Sequence, residues 1–443
     1  MMAAQETLPH RQGNRTISLA ESLLLGIVFS ILSFDLLPDT PFAQWSLLAP
    51  FTSLLSREDI TNYQPAIYAL LTLAVIFWFR VPSGADVPRR AGLLWGFTGV
   101  YITLFAILAI QTSLNRYEVY NGGAVVLLAL LTGLACAKLC GSAANILKMA
   151  AVIAVMQGTI SLYDLHMGIN VLWSGNVARA GGTFNQPILL YIPLIFILPY
   201  VLLQIIRSSS PIALGIGCCC FAILISALIL TGMRGGMFAA LVSTVFVVHA
   251  AYKQWKFSLV TFVIVGLLFV GVGYWRSHDA VDAASSARSN NGRLQVWKRA
   301  ALILAHNPLT GIGLGATAIP LKVHSAAYPK RTALSIAIEP KNILLHWGDE
   351  LGIGGLLLLG GFGYAIVKAL HGCKDDVAIS LGGAWLAIFA AGMTDTPFGP
   401  VDRTCGNVLI GLLLGATLLY GAQNSEAADL PALSAPQNEA AHA

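Results

Sequence analysis

Positively charged side chains are the residues of this sequence whose placement most favours chemistry on an anion. Residues 276–341 carry nine Lys and Arg against three acidic residues, a balance of +6 (nine minus three), whereas the whole 443-residue chain has a net charge of +5. A positive field gathered in one segment implies an anionic ligand or an anionic surface there. The basic residues are Arg276, Arg288, Arg293, Lys298, Arg299, Lys322, Lys330, Arg331 and Lys341.

Three further candidates precede this segment. Arg179 and Asn185 come just before one apolar stretch, and Arg234 lies between two others in the run Thr231-Gly232-Met233-Arg234-Gly235-Gly236. An arginine at the mouth of a membrane span either extends to lipid headgroups or serves a ligand. The adjacent glycines favour the ligand, because they permit close approach of the backbone.

A third group of candidates follows the basic segment. If a helix begins near Lys341, then Asn342, His346, Asp349 and Glu350 share one broad face of it. Ionisable side chains near the start of a membrane helix should face a polar cavity rather than lipid. His346 is therefore either a catalytic residue or a hydrogen-bonded interior histidine.

Motifs of several other chemistries are absent from the sequence. It holds no HExxH or carboxylate-rich metal pattern and no GxSxG, so we predict neither a metal ion, nor a cofactor, nor an acyl-enzyme. The run Gly311 to Gly315 has the form GxGxG, but no strand precedes it, so a tight turn is favoured over a nucleotide site. Neither nucleotide nor nucleic acid is expected as a partner. None of the seven cysteines lies in the basic segment, which argues against a disulfide framework there.

The elements that must position these residues are membrane spans. The chain is 56% hydrophobic and only 11% charged, whereas soluble domains carry roughly 25% charge. Twelve apolar segments approach the ~20 residues that a bilayer needs. They cover residues 17–37, 65–80, 91–112, 121–140, 143–163, 186–206, 211–231, 235–252, 257–275, 342–370, 377–394 and 405–422. The predicted fold is all-α, a polytopic membrane helical bundle.

The distribution of basic residues in the short loops predicts the orientation of the chain. Twelve lie on the side of the termini and five on the other, which places both termini in the cytoplasm. The first apolar run is expected to stay as a span rather than to be cleaved as a signal. The predicted organisation is a cytoplasmic N-terminus at 1–16, spans at 17–275, a large periplasmic loop at 276–341, spans at 342–422 and a disordered cytoplasmic tail at 423–443.

The large loop is predicted to contain an amphipathic helix. From Gly292 onward, Leu294, Trp297, Ala301 and Leu304 fall at helical spacing on one face. Asn290 and Asn291 are candidate caps, and Pro308 ends the pattern. The basic face of this helix either is solvated or directs Arg293 at a phosphate.

Taken in order, these motifs resemble the superfamily of O-antigen ligases and Wzy-type O-antigen polymerases. The resemblance covers residues 180–360 in motifs and the whole chain in predicted topology. The matching runs are Gly182-Thr183-Phe184-Asn185-Gln186-Pro187, Thr231 to Gly235, Arg293 to Trp297, Pro308 to Gly313, Asn342 to Leu345 and Glu350 to Gly355.

The resemblance implies a GT-C-like, metal-independent glycosyltransferase of the bacterial inner membrane with a periplasmic site. Its donor would be a glycan on undecaprenyl diphosphate, and its acceptor either lipid A–core or another lipid-linked repeat unit. Arg234 and Arg293 would hold the donor diphosphate. The other candidates for binding substrate are Arg179, Asn185, Arg288, Asn342 and His324, the last of which is alternatively an exposed loop residue.

The sequence departs from the family pattern at Lys341, where the family usually has histidine. Lysine donates to phosphate but acts as a base only with a depressed pKa. Either Lys341 or His346 would then replace the usual histidine, or the acceptor needs no strong base. Ligation to lipid A–core is the leading prediction, polymerisation of repeat units is the alternative, and a transporter of lipid-linked oligosaccharide is the rival from another class.

Overall fold

The structure is a computed structural model of the 443-residue chain. It describes parts of residues 92–104, most of 130–313 (without 132, 135, 138–139, 169–170, 175–176, 183–186 and 278–279) and 340–429 without 373 and 396–403. Helical residues occur within 92–104 and 130–140. The predicted spans 17–37 and 65–80, together with Asn185 and His324, lie outside the described residues.

Helices account for nearly all of the described elements. In chain order these are α1 (Ala143–Met167), β1 (Val171–Ser174), β2 (Val177–Ala180), α2 (Pro187–Arg207), α3 (Pro211–Thr231), α4 (Arg234–Tyr252), α5 (Trp255–Ser277), α6 (Ala280–His306), α7 (Ile343–Leu370), α8 (Asp376–Gly392) and α9 (Thr404–Asp429). The two strands pair antiparallel, with Val171 opposite Ala180 and Ser174 opposite Val177.

Local sequence signals fix where these helices begin and end. Ser142 caps α1 by accepting a hydrogen bond from the amide of Asn145 at 3.2 Å, and Asp375 caps α8 through the amide of Ala378 at 2.8 Å. Pro187 and Pro211 open α2 and α3, where a missing N–H costs nothing. Gly232 ends α3 in the left-handed conformation (φ 67°), which glycine adopts without strain.

The core of the bundle forms around α2. This helix packs against α1, α3, α4 and α8, and α8 also packs against α4. In α2, every residue of the run from Leu190 to Leu198 is buried. α5 lies at the edge, where its large apolar side chains are exposed, as expected for a helix facing lipid.

Within the described residues, α1, α3, α4, α7 and the part of α2 from Leu189 to Arg207 are long and apolar enough to cross a membrane. Shorter apolar helices occur at Gly92–Leu104, Trp255–Gly271, Asp376–Gly392 and Val408–Gly421. The chain is therefore an all-α polytopic membrane protein, as predicted, with one small hairpin added. The predicted spans from residue 143 onward coincide with α1 to α5 and α7 to α9 to within a few residues, except at the end of α9.

Two helix boundaries differ from the prediction. α6 begins at Ala280 rather than near Gly292, so Asn290 and Asn291 are interior residues and not caps. The alanine-rich run before them has high helix propensity, which explains the earlier start. α9 continues past residue 422 as far as Asp429, so the first part of the predicted tail is helical.

The packed face of α6 also differs from the predicted one. Ala300 and Ile303 are buried, whereas Leu294 is half exposed and Ala301 is exposed. The helix lies against α7, where Leu304 would touch a Cβ placed on Gly348. The buried face is therefore rotated from the predicted one, because contact with α7 rather than with a membrane surface decides it.

Candidate functional site

The C-terminal end of α8 is the point where three of the sequence motifs meet. Arg293 donates a hydrogen bond from Nη1 to the carbonyl oxygen of Thr394 at 3.0 Å. Asn342 donates from Nδ2 to the carbonyl oxygen of Met393 at 2.8 Å. A Cβ placed on Gly235 would collide with the side-chain oxygen of Thr394. We call residues 393–395 the α8 terminus; it joins motifs from α4, α6 and α7.

The turn between α3 and α4 places Arg234 beside the α8 terminus. The hydroxyl of Thr231 donates to the carbonyl of Leu228 at 2.7 Å and accepts the amide of Met233 at 3.2 Å. Arg234 is the first residue of α4 and is exposed, whereas Gly235 and Gly236 are buried. Arg234 is therefore at the positive end of the α4 dipole, where an anion is favoured.

Glycine is needed at both positions after Arg234 because neighbouring groups are close. A Cβ on Gly236 would lie 3.0 Å from the ring of Tyr191, in addition to the collision of Gly235 with Thr394. The small residues of this motif therefore let α4 approach α2 and the α8 terminus. This packing fixes the position of the Arg234 backbone.

Arg293 and Trp297 lie one turn apart on α6 and fasten it to the rest of the site. The indole Nε1 of Trp297 donates to the carbonyl of Pro340 at 2.7 Å, just before α7. Arg293 is half buried and uses one of its five N–H donors on Thr394. A cation at the end of α8 also interacts favourably with the negative end of that helix dipole.

Asn342 is the N-cap of α7. Its Oδ1 accepts the amides of Leu344 at 3.0 Å and Leu345 at 3.1 Å, while its Nδ2 binds Met393. α7 therefore begins at Ile343, two residues after Lys341 and close to the predicted start. Lys341 precedes the cap with φ 52° and is partly exposed, so its backbone adopts a conformation that is uncommon for lysine.

His346, Asp349 and Glu350 are buried in the first turns of α7, each with 2% of its surface exposed. Nε2 of His346 lies 3.9 Å from Oε2 of Glu350. Neither ring nitrogen of His346 has a hydrogen-bond partner among the residues that the structure describes. These side chains share the interior face that the sequence predicted. Among the described residues the ring of His346 has no hydrogen-bond partner, which sets it apart from an ordinary interior histidine.

Residues 311–313, the described part of the GxGxG run, lie in a turn that inserts into a break in α7. Gly352 has non-helical angles (φ 66°, ψ −152°), which interrupts the hydrogen bonding of the helix. The freed groups pair with the turn: the amide of Ile312 bonds to Asp349 O at 2.8 Å, that of Gly313 to Glu350 O at 2.9 Å, and that of Ile353 to Pro308 O at 2.7 Å. We call this arrangement the backbone clasp.

Both halves of the backbone clasp require glycine. A Cβ on Gly311 would lie 2.5 Å from the carbonyl oxygen of Asp349, and one on Gly352 would lie 2.5 Å from that of Pro308. Both residues have positive φ as well. The prediction of a tight turn, and not a nucleotide loop, is confirmed for Gly311 to Gly313.

Two predicted site residues remain, Arg179 and Arg288. Arg179 is partly buried on β2, in the hairpin that packs against α1 and α3. Arg288 belongs to α6, five residues before Arg293. Their roles in binding substrate stay predictions.

The sequence reasoning missed two residues of the site. Asp395 is buried and accepts a hydrogen bond from the hydroxyl of Tyr191 at 3.3 Å. Asp402 and Arg403 lie outside the described residues. A carboxylate directly after an apolar span, in Thr394-Asp395-Thr396, was the signal available for Asp395. Tyr191 lies in an apolar run and gave no signal.

Comparison with known protein families finds a match for the central part of the chain. Residues 219–360 match the family described as O-Antigen ligase. This central region is therefore similar to the O-antigen ligases. The resemblance to the O-antigen ligase and Wzy superfamily is therefore confirmed. A search of the curated proteins found no match.

The region that matches the O-antigen ligase family contains most of the site. Arg234, Arg293, Trp297, the backbone clasp and the start of α7 all fall inside the match, whereas Arg179 and the α8 terminus fall outside it. The match supports glycan transfer of the ligase or polymerase type on lipid-linked substrates in a membrane. The side chains of Arg293 and Asn342 donate hydrogen bonds to backbone carbonyl oxygens of the α8 terminus.

Proposed function

We propose that this protein transfers a glycan from undecaprenyl diphosphate to lipid A–core, as an O-antigen ligase. The observation that carries the proposal is the placement of Arg234 and Arg293 around the α8 terminus, at one end of a bundle of apolar helices. Arg234 is exposed and Arg293 keeps further donors beyond its bond to Thr394. A diphosphate bound there would have its lipid tail beside apolar helices.

Cleavage of the donor requires positive charge near the leaving oxygen of the diphosphate. The bond between the sugar and the diphosphate breaks through an oxocarbenium-like transition state, and negative charge grows on the leaving oxygen. Two guanidiniums stabilise that charge, and their planar donors suit phosphate oxygens. We propose that they supply this stabilisation without a metal ion, and that attack from the opposite face inverts the anomeric carbon.

Lys341 and the clasp complete the proposed site. The ammonium of Lys341, next to the α7 cap, would add a donor to the phosphate groups. The backbone clasp holds α6, and with it Arg293, against α7, so the position of Arg293 depends on tertiary packing. By the distribution of basic residues, this end of the bundle would be periplasmic and both termini cytoplasmic, in the inner membrane.

A Wzy-type polymerase is the second candidate, and one observation favours it. Lys341 stands where the superfamily pattern usually has histidine, and in the ligases this histidine is thought to help activate the acceptor hydroxyl. A polymerase would use the same donor but take a lipid-linked repeat unit as the acceptor. The two enzymes therefore differ in the acceptor and not in the arginine cluster.

The test uses purified full-length protein with a lipid-linked oligosaccharide donor. One reaction contains lipid A–core and a second contains only further lipid-linked donor. Glycan on lipid A–core supports the ligase, and longer lipid-linked chains support the polymerase. A donor whose sugar–diphosphate bond stays intact under both conditions would contradict glycan transfer and leave the transporter. A gene deletion analysed on a lipopolysaccharide gel gives an independent answer: a ligase loses all capped chains, and a polymerase leaves a single repeat.

A further inference from the structure

The connection between α4 and α5 is a basic and aromatic surface at the end of the bundle away from the arginine cluster. Its residues 252–257 are Tyr-Lys-Gln-Trp-Lys-Phe, and all six are exposed. We call these residues the α4–α5 turn. α4 begins at Arg234 and has 19 residues, so about 28 Å of helix separates Arg234 from the turn at 1.5 Å per residue. The turn is therefore not part of the proposed site.

Contacts between the two helices hold the α4–α5 turn in one conformation. The ring centroids of Tyr252 and Phe257 are 5.1 Å apart. Nδ1 of His249 and Oγ of Ser258 are 3.1 Å apart, a hydrogen bond that joins the last turn of α4 to the first turn of α5. Lys253 ends α4 with φ 53°, and its amide donates to the carbonyl oxygen of His249 at 2.8 Å. The turn therefore presents its lysines from a defined backbone.

The α4–α5 turn carries positive charge that no acidic residue nearby in the sequence balances. Lys253 and Lys256 are both exposed. The sequence has no aspartate or glutamate between Asp164 and Asp279. Each lysine is a compact charge with three donors, which suits phosphate oxygens.

The acidic residues of α8, the neighbouring helix, are already paired. A Cβ placed on Gly382 would lie 3.2 Å from the ring of Phe246, so the first turns of α8 lie beside the last turns of α4. At the start of α8, Asp376 forms an ion pair with Arg207 at 3.2 Å, and Asp375 accepts the amide that it caps. The two lysines therefore remain suited to an anion from outside the chain.

The side chains around the lysines follow the polarity profile of a membrane surface. Tyr252 and Trp255 are 47% and 65% exposed, and these residue types are enriched where lipid headgroups meet acyl chains. Beyond them α5 exposes large apolar side chains from Leu259 to Val270. A phospholipid with its headgroup at the lysines would therefore have its acyl chains along α5.

We propose that the α4–α5 turn binds the headgroup of an anionic phospholipid, with Lys253 and Lys256 on its phosphate and its acyl chains along α5. Lysines near a membrane surface favour lipids with a net negative charge over zwitterionic ones. By the distribution of basic residues in the short loops, this lipid would belong to the cytoplasmic leaflet, opposite the site of glycan transfer. The proposal is independent of the proposed function.

The experiment titrates purified full-length protein in detergent with phosphatidylglycerol and counts bound lipids by native mass spectrometry. Phosphatidylcholine with the same acyl chains is the comparison, and we expect the wild type to bind it more weakly. Lys253→Asn and Lys256→Gln should each raise the dissociation constant of the first bound phosphatidylglycerol about 5-fold, as for one lysine lost near an anionic surface. The double variant should raise it about 25-fold by the same reasoning. Asparagine accepts the positive φ at position 253.

The matched control is Lys148→Gln, which removes an exposed lysine near the start of α1 and should leave the dissociation constant unchanged. Melting temperatures without added lipid separate a loss of binding from a loss of the fold. Equal affinity of the wild type for the two lipids would overturn the proposal. A double variant with the wild-type constant would also overturn it and would leave the turn to a soluble partner.

A competition with inorganic phosphate distinguishes a lipid site from a site for free phosphate. We expect phosphatidylglycerol to stay bound, because the acyl chains contribute contacts along α5 that phosphate lacks. Displacement of the lipid by inorganic phosphate would overturn the role of the acyl chains. Should the double variant fail to accumulate, Lys256→Gln decides alone, since Lys256 is exposed in the first turn of α5.

Discussion

The guanidinium of Arg293 is bound to the carbonyl oxygen of Thr394, 101 residues further along the chain, at 3.0 Å. Thr394 also contacts Gly235, the residue after Arg234. One backbone segment therefore connects the two arginines that the sequence singled out. The predictions below follow from this connection and from the contacts around it.

Arg234→Ala and Arg293→Ala should each lower glycan transfer by about 10²–10³-fold, the typical loss for one preorganised donor. Transfer rate with purified protein and the lipopolysaccharide gel are the two measurements. Lys298→Ala is the matched control, because Lys298 is an exposed cation on the same helix as Arg293. Surface polysaccharide at wild-type level in either arginine variant, with the protein present in the membrane, would contradict the assignment of the donor diphosphate.

Gly352→Ala should destabilise the protein, because its Cβ would press on the Pro308 carbonyl and its φ is positive. We expect a loss of about 1–3 kcal/mol in the free energy of unfolding. The measurement is the thermal midpoint in detergent. Gly360→Ala on the same helix is the control, since its Cβ would meet nothing within 4 Å and no positive φ is required. Equal midpoints for the two variants would count against the backbone clasp.

Asn342→Ala should cost more stability than Asn342→Ser. Serine keeps an oxygen that caps α7 but loses the donor to Met393, and alanine loses both. The cap contributes about 0.5–2 kcal/mol and the hydrogen bond about 0.5–1.5 kcal/mol. Ser142→Ala, which removes the cap of α1, should lose stability without a specific loss of transfer. If Asn342→Ser behaves like wild type in both stability and transfer, the bond to Met393 has no role in holding the site.

Lys341→Asn should raise the donor KM about 10-fold, if one charged hydrogen bond to phosphate contributes about 1.5–3 kcal/mol and part of it is replaced by the amide. Asparagine tolerates the positive φ at this position, so the backbone should be preserved. Lys341→Arg keeps the charge and serves as the comparison. A donor KM that is the same in both variants and in wild type would remove Lys341 from the phosphate site.

The fold was largely predictable because a membrane span is a local property. Twenty apolar residues in a row form a helix that bilayers accommodate, and Pro187, Pro211 and Gly232 mark ends by their own backbone chemistry. The start of α6 was not predictable from its apolar pattern, since residues 280–291 are polar yet favour helix. The prediction of the buried face of α6 was wrong for a related reason, because contact with α7 decides which side of the helix is buried.

The candidate site was predictable only in part. Charged residues in an apolar chain stand out, so Arg234, Arg293 and His346 could be found. A partner of Asp395, the hydroxyl of Tyr191, lies 204 residues away in an apolar run and leaves no local pattern. The turn at Gly311 to Gly313 was predictable from the sequence, but its insertion into the break at Gly352 depends on the contact between two segments that are distant in the sequence.

By itself the sequence determined that this protein is a helical membrane bundle with basic residues concentrated in one segment, and it pointed to the O-antigen ligase superfamily. Only the tertiary structure decided that Arg293, Asn342 and Gly235 converge on residues 393–395. The physical reason is that two of these three contacts are made to backbone carbonyl oxygens. Every residue has such an oxygen, so no side-chain type in the sequence marks which ones the fold will use.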